Sequence, residues 1–251
     1  MLLDLQHQVS YTIGFNHVTA GLLVTVAFAV VARLLRAVTL GGAFAGAIVS
    51  FVLYVSARPG AFVALVTVFL LAWVTTRIGY ARKQRLGTAE AKSGRRASQV
   101  LANLSVATLA GLLSAVTQLR ALFLVLAAAA LAEAAADTVS SEYGQGTGDT
   151  AVLITTGEQV PAGTDGGITV RGTMGGLVGA AVVAGVCFAT RVISLRQAGI
   201  AAVAAFLGML ADSVLGATLE RRKILNNDAV NFFGTLVAAL LAFLVLRFIT
   251  R

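Results

Sequence analysis

Eight long apolar runs divide this chain, and they limit what it can fold into more than any other feature. A membrane-spanning α-helix needs about 20 predominantly apolar residues, whereas a helix on the surface of a soluble domain carries a polar face. Hydrophobic residues make up 58% of the chain and charged residues only 12%. We therefore predict an all-α, polytopic transmembrane helical bundle that forms one integral membrane domain over residues 1–251. The predicted spans cover about residues 17–35, 38–56, 60–78, 97–117, 120–138, 172–190, 197–217 and 229–248.

The basic residues predict the orientation of the bundle. The connection 77–96 contains seven Lys or Arg residues and one carboxylate, Glu90, and the positive-inside rule places such a connection in the cytoplasm. With eight spans, the connections 33–37, 139–171 and 218–228 lie on the same side, and the four connections carry 13 of the 19 basic residues. We expect an integral protein of the inner cell membrane, with its active site on the cytoplasmic side and both termini external.

The charge balance and the rare residue types exclude several classes of function. The net charge of +8 is explained by the loop charges that orient a membrane protein, so no nucleic-acid partner is predicted. The single cysteine, Cys187, excludes a disulfide framework. The sequence contains no Walker-type phosphate-binding loop, no Ser-His-Asp set and no zinc-type Cys/His cluster.

Short polar motifs stand at the ends of the predicted spans, and all of them fall on the predicted cytoplasmic side. They are SGRRASQVLAN from Ser93, ADTVSSEYG from Ala136, GTDGG from Gly163, ADSVLGATLERR from Ala211 and NNDAVN from Asn226. Charge near lipid is costly, so a carboxylate that is retained there usually has a partner or a task. The motifs therefore predict one shared site, and its side of the membrane suits a nucleotide substrate.

Asp137 and Asp212 are the candidates for a metal site. Each stands at the end of an apolar run, and carboxylate oxygens are the ligands that Mg²⁺ prefers. Two helix ends that each offer an aspartate are expected to hold Mg²⁺ against nucleotide phosphates. The alternative is structural, in which both carboxylates cap helices or form salt bridges with Arg96, Arg221 or Arg222.

Two motifs are candidates for phosphate binding. The glycines of Gly163–Gly167 allow backbone N–H groups to turn toward an anion, although a plain hairpin turn has the same composition. Arg95 and Arg96 precede a predicted helix N-terminus and are suited to bidentate contacts with phosphate oxygens. The alternative for both arginines is the ordinary positive charge of a cytoplasmic loop.

The connection 139–171 is long enough to contain structure of its own. Val152–Thr155 has the composition of a short strand, and a turn at Gly157 and Glu158 that closes near Pro161 predicts a β-hairpin. We expect this small cytoplasmic element, at about residues 140–170, to form a lid over the site.

The five motifs, in this order, resemble the transmembrane-protein-19-like family, which includes the phytyl-phosphate kinases of chloroplasts and cyanobacteria. The resemblance covers about residues 77–248, the motif-bearing region, whereas the first 75 residues are similar in hydropathy alone. It implies an Mg²⁺-dependent membrane kinase that transfers the γ-phosphoryl group of a nucleoside triphosphate to an isoprenyl monophosphate such as phytyl or geranylgeranyl phosphate. CTP is the donor expected from related polyprenol kinases.

The candidate site residues combine these patterns with the positions that match the family. The candidate catalytic residues are Asp137, Asp212, Glu142 and Asp165, and the first three are also the candidate metal ligands. The candidate nucleotide- and phosphate-binding residues are Ser93, Gly94, Arg95, Arg96, Gly163, Thr164, Gly166, Gly167, Ser213, Glu220, Arg221, Asn226, Asn227 and Asn231. The predicted partners are a nucleotide, an isoprenyl phosphate lipid and the membrane, with the prenyl tail between spans five to seven; a homo-oligomer is left open.

Two other functions are compatible with the same residues. A cytidylyltransferase that attaches CMP to a lipid phosphate also uses CTP and Mg²⁺, and it differs in releasing pyrophosphate instead of CDP. A lipid or ion transporter needs charges in the middle of its helices, whereas the carboxylates of this chain lie mostly at predicted helix ends.

Overall fold

The computed structural model describes residues 15–148 and 150–249, and its helices follow the apolar runs. The long helices are α1 (Phe15–Leu34), α2 (Leu40–Ser56), α3 (Pro59–Arg77), α5 (Ala97–Val116), α6 (Arg120–Thr147), α7 (Val170–Ala189), α8 (Leu195–Leu215) and α9 (Asn227–Ile249). A short helix, α4 (Tyr80–Leu86), follows α3, and a π-helical turn, Gly216–Glu220, continues α8. The prediction of an all-α membrane bundle is confirmed.

Seven of the described helices are long and apolar enough to cross a membrane, namely α1, α3, α5, α6, α7, α8 and α9. Helix α2 is apolar but only 17 residues long, so each predicted span corresponds to a helix but the full-length spans are one fewer than predicted. Helix α6 continues to Thr147, past the predicted end at 138. It does so because this last part packs against protein: Gly144 lies against Thr169 and Gly172 at the start of α7.

Helix α6 lies at the centre of the bundle. It contacts α3, α5, α7, α8 and α9, and every residue from Ala127 to Ala136 is buried. The small side chains let the glycines of α7 come close, since a Cβ added at Gly176 would lie 2.9 Å from Ala136 O. The spacing of Gly172 and Gly176 is therefore a helix-packing pattern.

A three-stranded antiparallel sheet lies between α6 and α7 in the chain. β1 (Thr150–Leu153) pairs with both β2 (Gln159–Pro161) and β3 (Gly167–Ile168), so β1 is the central strand. In the turn between β1 and β2, Gly157 has φ of +73°, a conformation that favours glycine. The predicted hairpin is confirmed, although its first strand begins and ends two residues earlier than predicted, and β3 is an additional strand.

A contact between two connections holds the corner between α1 and α2 against the start of α5. Arg95 N donates to Ala37 O (3.0 Å), and Thr39 N donates to Arg95 O (3.0 Å). Gly94 allows this approach, because its φ is +82° and a Cβ there would lie 2.3 Å from the carbonyl carbon of Ala37. The pairing fixes the backbone of Arg95 at the head of α5.

Candidate functional site

A polar cavity of about 240 Å³ lies where α6, α8 and α9 meet the small sheet. It brings together most of the residues that the motifs predicted. Those in its wall are Arg95, Asp137, Glu142, Gly163, Thr164, Asp165, Gly166, Gly167, Asp212, Ser213, Glu220, Asn227 and Asn231. All five motifs therefore contribute to one site, although they are spread over more than half of the chain.

Four of the carboxylates in the wall come from separate elements. Asp137 lies on α6, Asp165 in the turn before β3, Asp212 on α8 and Glu220 in the π-helical turn. Asp212 is only 8% exposed, and its Oδ2 has no hydrogen-bond partner. A buried carboxylate oxygen without a donor is costly, and a bound cation removes that cost.

The π-helical turn brings Glu220 to the polar cavity and packs against the GTDGG turn. A Cβ at Gly216 would lie 2.9 Å from Gly166 N, and a Cβ at Gly166 would lie 2.3 Å from that of Ala217. Glycine is required at this contact because any side chain would separate the turn from the end of α8. π-Helical turns are rare and often occur at functional sites.

The turn Gly163–Gly167 uses two of its backbone N–H groups internally. Thr164 N donates to Pro161 O (3.2 Å), and Gly167 N donates to Thr164 O (2.8 Å). These two groups are therefore engaged in closing the turn, as the plain-turn alternative predicts, instead of facing an anion. The turn still lines the polar cavity, so any contact with a phosphate would come from its other backbone N–H groups or its side chains.

Arg95 and Arg96 do not line the polar cavity together. Arg95 is the one basic residue in the described wall of the polar cavity, and it interacts electrostatically with Asp137. Arg96 is exposed and lies outside that wall. Gln99 belongs to the wall as well, and its Nε2 donates to Glu90 Oε2 (3.3 Å). Sequence reasoning did not include Gln99 and Glu90 among the site residues, although both stand in the motif-bearing region.

Glu142 is held by two protein donors. Thr76 Oγ1 donates to its Oε1 (3.1 Å), and Lys83 Nζ donates to its Oε2. Lys83 is fully buried and also donates to the carbonyls of Thr75 and Thr76. The sequence made Glu142 a candidate metal ligand, and in the structure both of its carboxylate oxygens accept hydrogen bonds from protein donors. Lys83 was missed because it is one of seven basic residues in the connection 77–96.

Five predicted residues lie outside the wall of the polar cavity. Ser93, Arg96 and Arg221 are exposed at the surface. Asn226 caps α9, since its Oδ1 accepts from Ala229 N (2.9 Å), and Gly94 lines a neighbouring cavity. The motifs locate the site, but residues adjacent in a motif point to different sides of their element.

The neighbouring cavity is apolar and has a volume of about 400 Å³. It lies among α1, α2, α3 and α5, and its lining includes Phe28, Gly46 and Phe69. The residues that line both cavities are Glu90, Arg95, Gln99 and Asn103. The polar and apolar cavities are therefore adjacent, with Arg95 on the wall between them.

The apolar cavity does not lie where the sequence predicted the prenyl slot. That slot was expected between spans five to seven, which are α6, α7 and α8. These helices are closely packed instead, since a Cβ added at Gly176 on α7 would lie 2.3 Å from Met209 Sδ on α8. Small residues shorten the distance between helix axes at this contact.

The polar wall has the donor set of a site for a hard cation. Its oxygen donors are carboxylates such as Asp137 and Asp212, the side-chain amides of Asn227 and Asn231, and the Ser213 hydroxyl. Within residues 15–148 and 150–249, no three His, Cys, Asp or Glu side chains form a metal site by themselves. Mg²⁺ is usually held by one or two carboxylates together with waters and substrate phosphates, so the wall fits that mode of binding.

Comparisons with known proteins give a family and several relatives. The family model described as "Integral membrane protein DUF92" matches residues 23–239. Protein VTE6, chloroplastic, of Arabidopsis thaliana is 31% identical over 204 residues, which cover 76% of this chain and 60% of the plant protein. The family model therefore begins in α1 and includes α2 and α3 of the apolar cavity, whereas the motif resemblance began at about residue 77.

Two microbial relatives are similar over more of their own length. The uncharacterized membrane protein MJ0933 of Methanocaldococcus jannaschii is 31% identical over 213 residues, with 81% of this chain and 84% of the relative covered. The uncharacterized membrane protein sll0875 of Synechocystis sp. is 32% identical over 185 residues, with 72% of each chain covered. No solved structure matches the chain.

Proposed function

The chain belongs to the integral membrane protein family DUF92, and we propose that it is a membrane kinase that acts on an isoprenyl phosphate. It transfers the γ-phosphoryl group of a nucleoside triphosphate, with CTP favoured, to an isoprenyl monophosphate such as phytyl or geranylgeranyl phosphate. The observation that carries the proposal is the adjacency of the polar and apolar cavities at Arg95. A lipid with an anionic head and an apolar tail is the class of molecule that fills both.

The acceptor phosphate is assigned to the wall at Arg95. A guanidinium group binds phosphate oxygens bidentately, and Gln99 and Asn103 add polar groups on the same wall. The prenyl tail then extends into the apolar cavity, toward Phe28 and Phe69. Burial of the tail supplies affinity in proportion to the apolar area removed from water.

The donor nucleotide is assigned to the other side of the polar cavity, under the small sheet. The wall there consists of Gly163–Gly167, Ser213 and the first turns of α9 with Asn227 and Asn231. We propose that the sheet acts as a lid over the triphosphate, because its last turn lies directly against the end of α8. A covered site excludes water, which would otherwise compete with the acceptor for the phosphoryl group.

The reaction requires alignment and charge neutralisation more than covalent help. The acceptor phosphate oxygen is anionic near neutral pH, so it needs no strong general base. It forms a bond to the γ-phosphorus while the bond to the β–γ bridging oxygen breaks, and the nucleoside diphosphate leaves with that electron pair. Arg95 offsets part of the repulsion between the two polyanions. Mg²⁺, held by Asp137 and Asp212, would supply the remaining positive charge.

We further propose that the polar cavity faces the cytoplasm of a cell with this protein in its inner membrane. Thr88, Glu90 and Arg95 belong both to the cavity wall and to the basic connection 77–96, and basic connections stay on the cytoplasmic side. The five spans after this connection make the C-terminus external, whereas an external N-terminus follows only if α2 crosses the membrane with the seven longer helices. The N-terminal residues 1–14 lie outside the described part of the chain.

The test is a reaction with purified protein in lipid nanodiscs, supplied with geranylgeranyl or phytyl phosphate, Mg²⁺ and each nucleoside triphosphate in turn. Prenyl diphosphate together with a nucleoside diphosphate is the expected product pair, measured by mass spectrometry. Release of pyrophosphate with a CDP-linked lipid would instead identify cytidylyl transfer. An absence of turnover with every nucleotide and every prenyl chain length would contradict the proposal.

A further inference from the structure

Glu133 is a fully enclosed carboxylate that the phosphoryl-transfer proposal does not use. It lies one helical turn before Asp137 on α6 and is only 1% exposed. Its Oε1 has no hydrogen-bond partner, and the same holds for Oδ2 of Asp212 on α8. Burying a carboxylate oxygen without a partner costs free energy, so a bound group that pairs with this oxygen is expected.

The two unpaired oxygens approach the same glycine of α9. A Cβ added at Gly234 would lie 2.5 Å from Glu133 Oε1 and 3.0 Å from Asp212 Oδ2. On α8, a Cβ added at Gly208 would lie 2.9 Å from Glu133 Cγ. Glycine at both positions therefore leaves the space through which the Glu133 side chain passes from α6 to the interface of α8 and α9.

The site adjoins the polar cavity through Asp212. Asp212 lines the polar cavity, whereas Glu133 and Gly234 do not belong to its wall. Asn231 lies one turn before Gly234 on α9, lines the cavity and adds an amide oxygen donor. A hydrated ion that enters the polar cavity can thus reach Asp212 first and Glu133 behind it.

We propose that Glu133 and Asp212 bind a divalent cation of the Mg²⁺ class between them, at the inner end of the polar cavity. One oxygen of each carboxylate converges there without a donor from the described residues, and an ion of charge +2 neutralises both groups. Glu133 is then a permanent ligand that holds the ion in the absence of nucleotide. This site shares Asp212 with the cation of the proposed function, and the inference does not depend on which group is transferred.

Binding is measured without nucleotide or lipid phosphate, with Mn²⁺ as the probe. The free Mn²⁺ signal in electron paramagnetic resonance gives stoichiometry and affinity for the purified protein in nanodiscs, and the rise in Tm on adding Mn²⁺ gives a second readout. The wild type is expected to bind the ion. Glu133→Gln is expected to weaken binding by at least about tenfold, since loss of even an outer partner of a ligand costs about that much.

The matched control is Glu158→Gln, which removes an exposed carboxylate in the turn between β1 and β2. It should bind Mn²⁺ as the wild type does. If Glu133→Gln does not fold, Glu133→Asp keeps the charge, shortens the side chain and is expected to lower the affinity in the same assay. Unchanged Mn²⁺ affinity in the Glu133 variants overturns the inference. The inference is also overturned if the wild type binds no Mn²⁺ and Glu133→Gln has a higher Tm. That result would show that Glu133 and Asp212 share a proton instead of a cation.

Failure of the proposed kinase activity is a separate result. If the protein binds Mn²⁺ through Glu133 but transfers no phosphoryl group, the inner cation site is supported and the proposed kinase activity is contradicted. If the wild type makes prenyl diphosphate but Glu133→Gln binds Mn²⁺ with undiminished affinity, the kinase activity is supported and the inner cation site is contradicted.

Discussion

Lys83 and Glu142 form a buried ion pair that joins the short helix α4 to the end of α6. The Lys83 ammonium group donates to Glu142 Oε2 and to the carbonyls of Thr75 and Thr76, so its three N–H donors are all used. Glu142 lines the polar cavity, whereas Thr76 lines the apolar one. The pair therefore stands where the two cavities adjoin and holds their walls together.

Removing only the lysine of this pair should destabilise the fold. Lys83→Met leaves Glu142 without its cationic partner, and we expect a loss of about 3–5 kcal/mol in the free energy of unfolding. The double variant Lys83→Met/Glu142→Gln removes both charges and should recover a large part of that loss. Denaturant unfolding in detergent measures both values, and equal losses in the two variants would contradict a coupled pair.

Asp137 and Asp212 should be required for turnover but not for folding. Asp137→Asn and Asp212→Asn keep the side-chain shape and remove the charge that holds a cation, so we expect kcat to fall by about 100-fold or more. Glu158→Gln serves as the control, because its carboxylate is exposed on the sheet and should leave kcat unchanged. Aggregation of both aspartate variants would instead indicate that the two carboxylates are structural.

Arg95 and Arg96 offer a matched pair of substitutions. Arg95→Gln removes the one basic side chain in the described wall of the polar cavity, and Arg96→Gln removes an exposed neighbour. We expect Arg95→Gln to raise KM for the prenyl phosphate by about 10- to 150-fold, the effect of losing one charge-assisted contact of about 1.5–3 kcal/mol. Steady-state kinetics at varied acceptor concentrations measures the effect. Equal changes in KM for the two variants would show that Arg95 does not bind the acceptor phosphate.

Gly46 offers a way to fill the apolar cavity without damaging the fold. A Cβ added there meets nothing within 4 Å, and Gly46 belongs to the cavity lining. Gly46→Leu should therefore exclude a long prenyl tail and lower kcat/KM for geranylgeranyl phosphate, while a five-carbon prenyl phosphate is still accepted. Competition between the two acceptors in one reaction measures the shift in chain-length preference.

The control for this substitution is Gly185→Leu. Gly185 also has open space around its Cβ position, but it lies on an exposed face of α7. Both changes replace a helical glycine by a good helix former, so their effects on helix propensity are the same. A loss of long-chain activity in Gly185→Leu of the same size as in Gly46→Leu would show that the cavity does not select the tail.

Much of the fold could be predicted from local pattern. The length of each apolar run determined where each helix lies, because a segment crosses a membrane when the summed hydropathy of about 20 residues is favourable. The turn residues around Gly157 predicted the hairpin for a similarly local reason. The α6 extension to Thr147 escaped prediction, because hydropathy does not register polar side chains that face protein instead of lipid.

The candidate site was predicted at the level of motifs and only in part at the level of side chains. The polar motifs at helix ends predicted one shared site at one end of the bundle, and Asp137, Asp165 and Asp212 do line one cavity there. The sequence could not distinguish Arg95 from Arg96, because the difference depends on the backbone contact of Arg95 with Ala37 and Thr39, which are distant in sequence. It could not identify Lys83 among seven basic neighbours, since burial of that one lysine depends on the end of α6.

The sequence by itself determined that the chain is a bundle of membrane helices with its polar motifs gathered at helix ends, since both properties are sums over neighbouring residues. Only the tertiary structure decided that Glu133 and Asp212 converge on Gly234 and that the apolar cavity lies among α1, α2, α3 and α5. Those relationships depend on the rotation and close approach of helices that are distant in sequence. Small residues allow helices to approach closely, but the neighbouring sequence does not indicate which helix they will pack against.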